Sequence, residues 1–375
     1  MIRSRAACSL FVFLLVSCAQ ASPLKPGMDS VEKIRGRKFT GDVRNVTIDR
    51  ADLSTHLEAQ MRKTTPYPLE DWARILRALQ LVDIDGKQIV PKLLALYESQ
   101  VLAFYDPHSH TYYSIKQLPK LPAAAAQLAD PKLLEETVMV HELTHALQDQ
   151  LFALSKKEQS LMRDTDANVA YHAVLEGEAV LVMVAHMLAK NGVDLDEVIK
   201  DDAMLGMITS SVQADQMLDP STPKYFAEML KFPYLDGLKF VITAYRRGGW
   251  AELDRIHANP PRSTREILHP EDYYARKSGA AARAFDSSKP KGALTAEHLG
   301  EFHWRYLVGA EASQGWRDDR AVVYQDGRVE VDTDWDDADR ATKFAAAYQS
   351  FLTGRGIEPK VTREGAKVRV TYSAK

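Results

Sequence analysis

Hydrophobic positions along the chain follow two periods, and the changes between them mark out the elements. Apolar residues return every three or four positions over residues 53–61, 69–79 and 90–100, so three helices are predicted there, with Leu93, Leu94 and Tyr97 on one side of the last. A short run at 43–48 reads as a strand. The period changes at Val101-Leu102-Ala103-Phe104-Tyr105, which is apolar and aromatic. Asp106-Pro107-His108-Ser109 has turn chemistry, and Thr111-Tyr112-Tyr113-Ser114-Ile115 returns as a strand, so a β-hairpin is predicted. Pro119 and Pro122 break the chain, and Ala123 to Ala126 read as a helix start. A long helix is predicted over 133–154, with Glu135 and Glu136 at the positive end of its dipole. A second, over 164–190, ends at Asn191-Gly192. Its stretch 179–189 is strongly apolar but shorter than a membrane span, so it reads as a buried core helix.

Further helices are predicted over 195–216 and 234–245, the latter ended by Gly248-Gly249. Pro260-Pro261 opens a loop that runs to His269-Pro270, and a short helix follows at 296–307. From about residue 320 strand and helix alternate: strands at 321–324, 329–331 and 368–372, and a helix at 337–352. The fold class expected is α+β, mostly helical, with a hairpin or small sheet. A main domain is expected over residues 38–315 and a small α+β unit over 316–375. No internal repeat is visible.

The first residues read as an export signal: Arg3 and Arg5 give a positive start, and Leu10 to Val16 form a short apolar run. Two processing readings stand side by side. Leu15-Val16-Ser17-Cys18 looks like a lipobox, which makes Cys18 a lipid anchor and the chain an envelope lipoprotein; Ala19-Gln20-Ala21 suits ordinary signal cleavage into the periplasm or beyond. Residues 22–37, polar and containing Pro and Gly, read as a flexible lead-in. The chain has 375 residues and two Cys, Cys8 and Cys18, both in or beside the leader. Any metal must then be held by His and carboxylates. A formal net charge of -3 gives no reason to expect nucleic acid as a partner.

His141-Glu142-Leu143-Thr144-His145 carries the chemistry. Residues four apart share one helix face, so both imidazoles reach a single tetrahedral cation, and Glu142 beside them can take a proton from the attacking water. The apolar flanks Val138-Met139-Val140 and Ala146-Leu147 suit a buried metal helix better than a surface helix with two solvated His.

With Gln148 and Leu151 where metzincins carry Gly and His, that class is excluded. Val174-Leu175-Glu176-Gly177-Glu178-Ala179 resembles the second helix of the gluzincins, the class of thermolysin and the aminopeptidase N group, whose Glu completes a zinc site. The resemblance puts Glu176 in that position, with Glu178 as its rival, though the gap from His145 is longer than is usual in the class. Pro233-Tyr234-Leu235-Asp236-Gly237 resembles the Pro-Tyr-x-x-Gly stretch of gluzincin aminopeptidases, which implies that Tyr234 steadies the oxyanion. His269 is the other candidate, since thermolysin-like enzymes use a His. His172, Asp149 and Asp166 are candidates to contact or orient the ligands; His108 and His110 read as solvated, and Arg246, Arg247 and Trp250 as structural. Either hairpin strand can supply the edge that an extended peptide pairs with in this class.

The expectation is zinc-dependent hydrolysis of peptide bonds in a bacterial envelope, Glu142 acting as general base on a peptide or protein substrate. The membrane enters only through a lipid on Cys18, and the oligomeric state is open. Two other readings stay open: a zincin-fold scaffold that binds metal without peptidase activity, and a zinc hydrolase of a non-peptide amide in the cell wall.

Overall fold

The computed structural model describes residues 22–117, 131–201, 203, 206, 221–276 and 285–374. The expected leader with Cys8 and Cys18, the break at Pro119 to Pro122, the Ala123 to Ala126 start and most of the helix expected beyond residue 201 lie outside them. The fold is α+β. Helix α1 (Lys25–Arg35), strand β1 (Arg44–Ile48), α2 (Arg50–Thr64), α3 (Leu69–Ala78) and α4 (Gly86–Gln100) lead to a hairpin of β2 (Ala103–Asp106) and β3 (Thr111–Ile115). β1 pairs in parallel with β3 and β2 antiparallel to it, so the sheet order is β1-β3-β2. β3 is therefore central, and among the described residues β2 has a free edge.

Residues 22–37 are not a flexible lead-in. Leu24 and Val31, seven positions apart, are at most 1 % exposed, and α1 packs them beside α5 (Pro131–Phe152) among Val140, Leu143 and Leu147. The apolar face is only a few residues wide within a charged segment, which is why the pattern hides it.

α5 ends where Ala153 turns left-handed, with φ 54°, and α6 (Leu154–Leu161) leaves in a new direction. α7 (Thr165–Lys190) is capped by Asp164, whose side chain accepts from Ala167 N. By length and composition α7 is apolar enough to cross a membrane, yet 61 % of its most apolar window is buried inside the fold. It runs through the middle of the helical layer, against α5 on one side and α10 (Leu238–Ala258) on another. Between them in sequence lie α8 (Leu195–Lys200), α9 (Lys224–Phe232) and a single π turn, Pro233–Gly237, that runs straight into α10. Gly248 and Gly249 do not end α10: they kink it, and the helix resumes to Ala258. The segment from Pro260 to His269 is not all loop, because α11 (Thr264–Leu268) sits within it, followed by α12 (Pro270–Ala275).

The C-terminal sheet has the order β4-β5-β6-β8-β7: β4 (Ala293–Glu297), β5 (Trp316–Tyr324), β6 (Arg328–Trp335), β7 (Lys360–Glu364) and β8 (Lys367–Ser373). Helices α13 (Gly300–Val308), α14 (Ala310–Ser313) and α15 (Ala338–Thr353) accompany it. Residues 296 and 297, expected to start a helix, pair with β5 as the end of β4 instead; pairing across the sheet overrides the helix preference of Ala and Glu. The unit thus begins before residue 316, since β4 belongs to its sheet. Its core of Trp304, Trp316, Trp335, Phe344 and Tyr348 is continuous with Ile75 and Leu76 of α3 and Leu93 of α4. Asp319 fastens it from inside, accepting from Leu299 N, Gly300 N and the indole N–H groups of Trp304 and Trp316. The N-terminus of α7 is tied to the same unit: Thr165 donates to Glu297, His298 pairs with Asp164, and Asp166 accepts from Thr264 N and Oγ1.

Candidate metal centre

The site lies where α5 crosses α7. One helical turn separates His141 from His145, so their Nε2 atoms meet 3.2 Å apart, with the rings edge to face. α7 brings Glu176 across to them. Its Oε2 lies 3.1 Å from His141 Nε2 and 3.5 Å from His145 Nε2. Among the described residues these three side chains form a group able to hold a metal ion.

A tetrahedral cation with bonds of about 2.0–2.1 Å requires ligand atoms about 3.3–3.4 Å from one another. The three separations here, 3.1, 3.2 and 3.5 Å, bracket that edge length. Protonation agrees. Gln148 Nε2 faces only acceptors, the Leu175 carbonyl at 3.2 Å and Glu178 Oε2 at 3.0 Å, so its amide orientation is determined. Gln148 Oε1 then lies 2.9 Å from His145 Nδ1, which must carry the proton. That leaves the lone pair of His145 on Nε2, aimed at His141 and Glu176, as a metal ligand requires. The donor set fits zinc.

The electrostatics without a cation describe a strained cluster. Burial acts against ionising Glu176, yet His145 and His141 hold it well below the ordinary carboxylate range. Burial acts to lower His145, but Glu176 outweighs it and lifts the imidazole to about 9. Such sharing of protons among three converging groups is what a divalent cation replaces. Glu142 points from the same helix, and burial raises its pKa. Its Oε2 accepts from Tyr105 N at 2.9 Å. That amide does not face β3, so it lies on the free edge of β2, and this edge opens toward the cluster. Of the two hairpin strands only β2 can offer an edge here.

Tyr234, on the π turn, stacks on His141 with centroids 6.1 Å apart and planes 16° from parallel. Its hydroxyl interacts with Glu176, and burial raises its pKa well above the ordinary value. Gly177 and Gly237 make this approach possible. A Cβ built on Gly237 would sit 2.2 Å from Ala173 O, and one on Gly177 would sit 2.5 Å from Gly237 C. The turn that carries Tyr234 therefore rests directly on the backbone of the helix that carries Glu176. A cleft of about 1120 Å³ opens over these groups, with Tyr97, His172 and Phe104 also in its wall.

Glu178 is not at the cluster. It is fully buried on another face of α7, paired with Arg35 at 2.5 Å and with His257. His269 is elsewhere, its Nε2 2.9 Å from Glu301 Oε1, and it does not line the cleft. Asp149 orients no ligand: it accepts from Tyr105 Oη and Leu154 N and pairs with His110 Nδ1 at 2.7 Å, while His110 is exposed, as expected. Asp166 serves the C-terminal joint instead. His108 lies on the cleft wall. Arg246 donates to Ile199 O, Arg247 stacks on Tyr274 and Trp250 lies under Arg35, which are structural roles. Sequence reasoning missed Gln148 and Arg35. Gln148 carried a signal, lying three residues after His145 on the same helix face; Arg35, 110 residues before His145, carried none.

Residues 278–374 match the family model described as Domain of unknown function (DUF8575), which covers the C-terminal sheet unit and not the cluster. No curated protein and no solved structure matches the chain.

Proposed function

We propose that this chain is a zinc-dependent peptidase of the gluzincin kind, exported to a bacterial envelope, with His141, His145 and Glu176 as ligands. The observation that carries the reading is the convergence of these three donor atoms at tetrahedral edge lengths beside a Glu held by a strand edge. Bound zinc supplies Lewis acidity, which makes water a nucleophile near neutral pH and polarises a carbonyl.

The residues have distinct tasks. An extended peptide pairs with the free edge of β2, which brings its carbonyl over the cluster. Glu142, anchored through one oxygen by Tyr105 N, has the other for proton transfer. It takes the proton of the attacking water and passes it to the leaving amine. Its burial raises its basicity toward the range that suits this exchange. The Tyr234 hydroxyl, kept protonated by burial, donates to the oxyanion as it forms. The cleft, about 1120 Å³ in volume, has room for several side chains of an extended substrate. Export rests on Arg3, Arg5 and the apolar run that follows them.

The test is Glu142→Gln, with bound Zn2+ measured by elemental analysis and cleavage followed on a fluorogenic peptide library. The expected result is stoichiometric zinc in both proteins and hydrolysis only in wild type. Wild type that holds zinc but cleaves only a cell-wall amide moves the substrate class. Equal cleavage by both proteins refutes the assignment of the base.

A further inference from the structure

Behind the cluster a chain of hydrogen bonds leads from His145 to the N-terminal helix. His145 Nδ1 donates to Gln148 Oε1, Gln148 Nε2 donates to Glu178 Oε2, and Glu178 Oε1 accepts from Arg35 Nε. His257 Nε2 also meets Glu178 Oε2, and Arg35 Nη2 reaches Asp254 Oδ1 at 2.9 Å. Gln148 and Glu178 are at most 1 % exposed and Arg35 is 3 % exposed, so water does not compete for these contacts.

We propose that Arg35 and Gln148 are positioning residues for the metal centre: Arg35 fixes the Glu178 carboxylate, which locks the Gln148 amide so that His145 presents Nε2 to the metal. The inference rests on the zinc reading above. Its logic is that of tautomers. An amide in the opposite orientation would offer N–H to Nδ1 and drive the proton onto Nε2, the atom that faces Glu176. Acceptors behind the amide prevent that: the Leu175 carbonyl at 3.2 Å and, closer and charged, the Glu178 carboxylate at 3.0 Å. Glu178 in turn is a buried carboxylate whose place is set by Arg35 and His257. Helix α1 is therefore part of the metal centre although none of its residues touches the ligands. By thermodynamic reciprocity, zinc must tighten the docking of α1 by the same factor by which docked α1 tightens zinc.

The experiment measures the Zn2+ dissociation constant of the full-length chain by chelator competition for wild type, Gln148→Met, Arg35→Met and the double variant. Each single variant is expected to weaken zinc binding about 10–100-fold, the usual loss when a group orienting a ligand is removed. The double variant is expected to be no weaker than the worse single one, because both act through one amide. Amide exchange of residues 25–35 is followed alongside, with and without zinc. Zinc should slow it in wild type and not in Gln148→Met; this arm stands even where Arg35→Met does not fold, since Gln148→Met removes no charge. Variants that bind zinc as wild type does, losses that multiply, or exchange in α1 indifferent to zinc each overturn the relay while leaving the zinc reading intact. A wild-type chain that binds no zinc overturns both.

Discussion

Replacing Gly237 by Ala tests whether the π turn and α7 are in backbone contact, the feature that sets Tyr234 over His141. The added Cβ would lie 2.2 Å from Ala173 O, 2.9 Å from Ala173 C and 3.0 Å from Ala173 Cα. All three are backbone atoms in the interior of a 26-residue helix, so no side chain can rotate out of the way. Ordinary contact begins near 3.4 Å, so the turn must lift off α7 by roughly 1 Å. Overpacking of this kind costs about 3 kcal/mol where neither side relaxes. At roughly 2–3 °C per kcal/mol for a large domain, Tm should fall by about 6–9 °C. The same 1 Å carries Tyr234 away from Glu176 and His141, and a misplacement of that size costs about 100-fold in rate where the group acts on the reaction. Differential scanning calorimetry of Gly237→Ala, beside Gly41→Ala as a control with open space around the new methyl, gives the first number. Hydrolysis of the best peptide substrate gives the second. A Gly237→Ala protein with the Tm of wild type would refute the close packing. One that is destabilised but fully active would refute the link between this contact and catalysis.

Tyr234→Phe should keep zinc affinity within about twofold and lower kcat about 100-fold or more, the usual loss for one oxyanion donor; an unchanged kcat removes Tyr234 from the mechanism. Acid should destabilise the chain through His303, which is fully buried, donates from Nδ1 to Leu299 O and accepts at Nε2 from Tyr225 Oη. Burial lowers its pKa to about 4 from 6.5, so the unfolded chain binds the extra proton and stability is lost as pH falls through that window, by about 3 kcal/mol in all. His303→Gln should show a shallower fall of Tm between pH 7 and 4 than wild type; parallel curves refute the assignment.

The helix of His141 and His145 was legible because its signal is local. His141 and His145 lie one turn apart inside an apolar stretch, and a helix turns that spacing directly into a shared site. Glu176 was separable from Glu178 only by the resemblance, since two carboxylates two positions apart on an apolar helix look alike in sequence. In three dimensions they differ entirely: one faces two imidazoles and the other faces an arginine and a histidine brought from residues 35 and 257. Tyr234 was singled out through a short motif, and its Gly237 allows the backbone approach that brings the ring beside His141.

What stayed hidden depends on contacts between distant residues. Ala293–Glu297 has helix-forming composition, and only its partner β5, more than twenty residues later, makes it a strand. Lys360–Glu364 carries no apolar alternation because, as an edge strand paired on one side, it buries little. Arg35 is the sharpest case. A cation in a polar N-terminal segment reads as solvated, yet it is 3 % exposed: Glu178 takes Nε, Asp254 takes Nη2 and the face of Trp250 covers the plane, while Nη1 is buried without a hydrogen-bond partner. Burying a guanidinium costs too much for such a site to persist without all its partners. The two carboxylates that hold it make it a fixed point of reference behind His145. The segment that looks most dispensable in the sequence is thus the one that backs the cluster of His141, His145 and Glu176.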